Sequence, residues 1–117
     1  MVKDDLLKVK MLYAAICKIE KFTEDMKSKS DLTSNDLVWD AIKMNLVVIA
    51  EMDVKIGSEI KEKFNTVAWH KIKEKKPNIN NQHLGFDPNE IWEAIQNELP
   101  IFKLELEKAI NKFNLNN

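Results

Sequence analysis

Arginine is absent from this chain of 117 residues: all 18 basic residues are lysine. Lysine can meet a phosphate as a point charge, but it lacks the planar fork that engages two phosphate oxygens at once. Cysteine is nearly absent too. Cys17 stands alone, so no internal disulfide can form, and the usage fits a reducing compartment. Two glycines and three prolines leave few breaks, which suits a helical protein. No apolar run approaches the ~20 residues that span a bilayer. The opening MVKDDLLKVK has no secretory apolar core, and the expectation is a cytoplasmic protein without membrane contact. Net charge is −1, so general attraction to nucleic acid is excluded. Charge is local instead. Lys71, Lys73, Lys75 and Lys76 against Glu74 leave a patch of +3.

What is present is helical periodicity, in a length that suits one domain spanning residues 1–117. Residues 4 to about 27 carry Leu6, Val9, Tyr13, Ile16, Ile19 and Phe22 at three- and four-residue steps, the spacing of one helical stripe. SKSDLTSND interrupts the pattern. Ser34 is the expected N-cap of a second long helix reaching about Phe64. Its stripe is Leu37, Ala41, Ile42, Leu46, Ile49, Met52, Ile56 and Ile60, and a kink is open at Gly57. Thr66 is the expected cap of a short helix with Trp69 and Ile72, ended by Pro77. PNINNQHLGF reads as a polar loop. Asp87, Pro88 and Glu90 then supply cap, first-turn proline and acid for a helix through Trp92 and Ile95 to Leu99. Pro100 is expected to bend or interrupt that helix, before a last one with Ile101, Leu104, Leu106 and Ile110. Residues 113–117 are expected to fray.

The segment WHKIKEKKPNINNQHLGFDPNEIW, residues 69–92, resembles the active-site segment of the HepT-like branch of the HEPN proteins. That branch carries a tryptophan, then Arg-x-x-x-x-His-x-Tyr, a Gly-x-Asp turn and a helix with another tryptophan. Trp69, Gly85, Asp87 and Trp92 lay this chain on the pattern without gaps. The family's arginine then falls on Lys76, its histidine on Asn81 and its tyrosine on His83. Other parts agree. Ile16, Lys18, Ile19, Glu20, Phe22, Thr23 and Glu24 resemble the end of the family's first helix. Asp40, Ala41, Asn45, Leu46, Ile49 and Glu51 resemble its second, and Asn97, Glu98, Leu99 and Pro100 its final NDLP corner.

The resemblance implies an all-α, antiparallel HEPN bundle of four to five helices, assembled as a homodimer. It implies descent from a metal-independent ribonuclease that is the toxin of a nucleotidyltransferase–HEPN toxin–antitoxin pair. The cognate minimal nucleotidyltransferase would be the partner, RNA the substrate, and no cofactor is implied. In an intact site the histidine moves a proton and the arginine steadies phosphate charge. Here Lys76 keeps the charge and loses the fork. Asn81 does not titrate, so it cannot be a general base. General acid–base catalysis contributes typically ~10²–10⁴-fold, which is what the replacement removes. His83 can titrate and stands two residues beyond the family histidine's place. The same register takes away the tyrosine on which the partner places AMP.

Three readings follow. The first is a HepT-like component with a degenerate nuclease motif. The second is an active ribonuclease using Lys76 and His83. The third is a non-catalytic subunit that binds nucleotide or partner, with Lys71, Lys75 and Lys76 holding a phosphate. Glu51 interrupts an apolar run, so it is expected either to pair, with Lys76 or Asn45, or to support the site. Cys17, His70 and His83 lack the close spacing of a metal site. His70 is more often a solvated helix residue than a phosphate ligand. Trp39, Trp69 and Trp92 are more often core or interface than platforms for bases.

Overall fold

The computed structural model describes residues 3–65, 67, 69 and 86–115. Among the described residues every regular element is a helix. Helix α1 spans Lys3–Thr23, α2 Ser30–Thr33, α3 Asp36–Lys55, α4 Ser58–Lys63, α5 Pro88–Glu93 and α6 Leu99–Leu115. A π-helical turn, Ala94–Glu98, joins the last two.

Helix α1 ends at Thr23, four residues short of the periodicity's reach, because side chains there offer the backbone other partners. The buried Thr23 hydroxyl donates to the Ile19 carbonyl at 2.9 Å. The Asp31 carboxylate then accepts the N–H groups of Lys27 and Ser28, drawing the chain into a turn. Those two donors, Lys27 first, hold the Asp31 carboxyl below its usual range. The cap of α3 is Asn35 rather than Ser34. Its side-chain oxygen accepts from the N–H groups of Leu37 and Val38, while the Ser34 hydroxyl turns back to the Asp31 carbonyl.

Two helix breakers behave differently from expectation. At Gly57 the predicted single helix stops outright, and α4 starts afresh. Ile56 and Gly57 are both extended, with φ near −70° (−71° and −68°), so the break needs no left-handed residue. At Pro100 the helix continues. Proline offers no N–H to the carbonyl four residues back and crowds it. The π-helical turn just before absorbs both problems, with the Leu99 N–H reaching the Ala94 carbonyl five residues back.

Helices α1, α3 and α6 form the body. The Lys8 ammonium meets the Lys55 carbonyl, so α1 and α3 run antiparallel. Tyr13 donates to Glu107 at 2.7 Å and Lys103 pairs with Glu20 at 2.7 Å, so α6 runs antiparallel along another side of α1. The Glu107 carboxylate accepting that phenol, with burial adding, holds the tyrosine well above its ordinary range. Leu12, Ile16, Ile19, Leu32, Ile42 and Leu106 are fully buried, each such side chain worth ~1.5–3 kcal/mol. Small α2 closes one end through Leu32 and packs against α3 and α5.

Some predicted inward positions face outward. Phe22, Leu37, Ile101 and Leu104 are exposed, and Thr23, Phe102, Ala109 and Phe113 occupy inward rows instead. The last helix runs through Leu115 with Phe113 buried, beyond the expected start of fraying.

Candidate functional site

The described structure frames the motif segment from both ends. At its start, the chain leaves α4 through a tight turn in which the Val67 N–H bonds the Phe64 carbonyl. Trp69 follows. Its indole N–H donates to the Phe64 carbonyl at 3.2 Å, and its ring stands edge-on to Phe102 at 6.0 Å. The Lys61 ammonium sits 5.8 Å from the ring centre. At the far end, Phe86 is buried and Asp87 caps α5 through the Asn89 N–H at 2.9 Å. Pro88 occupies the first turn, where a missing N–H costs nothing. Ile91 is buried and Trp92 half-buried against the core. Lys29, from the turn before α2, reaches the Asn89 side chain and ties this end to the α2 region. The anchors Trp69, Asp87 and Trp92 thus have structural reasons for their identity.

Lys71, Lys75, Lys76, Asn81 and His83 lie outside the described residues, as do His70 and the predicted cap Thr66. Glu51 is described. It is exposed on the side of α3 away from the core, so the expected cost of burying it does not arise. Its suggested partner Asn45 instead donates to the Ala41 carbonyl at 2.8 Å. Trp39, Trp69 and Trp92 are all half-buried against the core, as expected of core or interface residues. Cys17 is half-buried, and among the described residues no group of His, Cys, Asp and Glu is arranged to hold a metal.

The buried carboxylate of α3 is a different one. Asp53 is almost wholly enclosed and pairs with Lys61 at 3.1 Å. Sequence reading passed over it. The available signal was its place in the inward row with Leu46, Ile49 and Ile56, together with a lysine eight residues on.

The model of the family described as "Ribonuclease HepT-like" matches residues 12–109. The chain belongs to the ribonuclease HepT-like family. Curated relatives come from Methanocaldococcus jannaschii. "Putative RNase MJ0125" and "Putative RNase MJ1216" are each 29% identical over 92 residues, covering 79% of this chain and 78% and 75% of their own lengths. "Gamma-glutamylcyclotransferase and putative RNase MJ0434" is 25% identical over 116 residues, 99% of this chain; the chain spans about half of that protein, 52% of its length. No solved structure matches the chain. HepT-like membership accounts for the all-α bundle, and no helix among the described residues is long and apolar enough to cross a membrane.

Proposed function

We propose that this chain is the HepT-like component of a nucleotidyltransferase–HEPN toxin–antitoxin pair whose nuclease motif has lost its chemistry. It works in the cytoplasm as a homodimer that holds RNA and its nucleotidyltransferase partner and does not cut. One observation carries the reading: there is no arginine at any position. No choice of register restores a guanidinium to the site. In the register that Trp69, Gly85, Asp87 and Trp92 define, the histidine place is Asn81, which cannot exchange a proton at neutral pH. Lys71, Lys75 and Lys76 remain for phosphate.

The outward side of α3 supports the homodimer. Leu37, Met44 and Val54 are 82%, 62% and 61% exposed, alongside half-buried Ala41 and Val48. A helix apolar on both sides is one that packs on both sides. Glu51 stands among these residues, so a second copy docked there would bring it into the interface.

The test is cleavage of single-stranded RNA by the purified protein with a metal chelator present. The expected result is binding without cleavage. Cleavage that disappears in His83→Ala establishes the active-ribonuclease reading, with Lys76 as phosphate clamp and His83 as base. Nucleotide binding that requires Lys76, with no RNA binding, establishes the accessory-subunit reading.

A further inference from the structure

The outward side of α3 has a repeat of its own. Leu37, Ala41, Met44, Val48, Glu51 and Lys55 follow one another at steps of four and three residues. A row with that spacing keeps facing a second helix along its whole length. Leu37, at 82% exposure, is the most exposed large hydrophobic among the described residues. Glu51 and Lys55 are exposed as well.

Glu51 decides which way round a second copy fits. Two identical rows meet on a two-fold axis either parallel or antiparallel. In the parallel order each residue meets its own counterpart, and two Glu51 carboxylates face each other inside an apolar seam. Like charges drawn out of water together are costly. In the antiparallel order, with the two-fold passing between Met44 and Val48, all six positions find a counterpart. Met44 lies over the second copy's Val48, Glu51 over its Ala41 and Lys55 over its Leu37. Ala41 is the small residue of the row, and it leaves Glu51 room to turn its carboxylate to the rim. The Lys55 stem covers Leu37, and its ammonium comes alongside Asp40. The Asp40 side chain is 71% exposed beside Lys43 at 3.2 Å, and a carboxylate has lone pairs for a second cation. The acidic start of the helix, Asp36 and Asp40, thereby meets its basic end, Lys55. The same order sets opposite ends of the two helix dipoles side by side.

We infer that a second copy docks antiparallel along this row, and that Glu51 fixes the orientation by excluding the parallel one. This rests on the proposed homodimer, and the test separates the two.

The test uses the full chain with Cys17→Ser, to which Leu37→Cys or Lys55→Cys is added singly. Each protein alone, and the two mixed and left to exchange, is treated with a short bis-maleimide; sedimentation reports the state of assembly. Along α3 the two positions lie about 27 Å apart, beyond the linker's reach. The expected result is no covalent dimer from either protein alone and a covalent heterodimer from the mixture. Adding Glu51→Leu is expected to tighten the dimer about tenfold and to let Leu37→Cys chains link to each other. Lys55→Glu is expected to weaken the dimer about threefold, and Asp40→Lys/Lys55→Glu to recover it. Leu37→Cys chains that link to each other with Glu51 in place make the dimer parallel, which overturns the inference and leaves the homodimer standing. A dimer in which no combination links also overturns it, since the interface then lies off this row. A chain that sediments as a monomer sinks the homodimer reading, and the inference with it.

Discussion

Glu51 and Asp53 stand two residues apart on α3, in opposite surroundings. Two residues turn a helix through about 200°, so the pair points to opposite sides. Asp53 faces the core, enclosed and held by Lys61. Glu51 faces outward, among Met44, Val48 and Val54. The inward side contributes to the fold. The outward side leaves Leu37, Met44 and Val54 exposed, with Ala41 and Val48 only half-buried. One helix thus carries the scaffold on one face and, in the proposed homodimer, the assembly surface on the other.

That contrast makes graded predictions. Ile49→Ala, on the inward side, is expected to cost about 2–5 kcal/mol, since it removes a buried side chain and leaves a cavity. Urea unfolding measures it, and a loss below 1 kcal/mol would mean the inward row is not the packing row. Lys61→Met is expected to cost about 1–3 kcal/mol: it strands a buried carboxylate, though the partly exposed lysine tempers the loss. The same change at exposed Lys55 should do little. At the start of α3, Asn35→Ala is expected to cost about 1 kcal/mol and Ser34→Ala about 0.5 or less; equal losses would put the cap in the wrong place. Met44→Asp, on the outward side, is expected to leave unfolding of the isolated chain within about 0.5 kcal/mol and yet to dissociate the dimer in sedimentation. A dimer that survives moves the interface elsewhere.

Much of this was legible in the sequence, and the failures share a cause. Periodicity located the long helices and the Asp87–Pro88 start of α5, where cap and proline agree. It chose the wrong apolar row where two rows compete. Leu37 and Ile101 are as hydrophobic as their buried neighbours, and spacing alone cannot say which side meets the core. The Gly57 break and the continuous helix at Pro100 turned on where backbone donors go. Residue propensity does not record that; a π-helical turn solved the proline from outside it. Of the candidate site, the frame was legible through Trp69, Asp87 and Trp92. The Asp53–Lys61 pair was missed because the carboxylate that looked anomalous in the string was Glu51.

The central claim is that a HepT-like scaffold is retained while its chemistry is gone. The most direct measurement is metal-free RNA cleavage by Lys76→Arg/Asn81→His beside the parent protein. The account predicts an inert parent and a double variant that gains at least the ~10²-fold typical of a restored acid–base group. A parent that cleaves, or a double variant as inert as the parent while folded and dimeric, contradicts it.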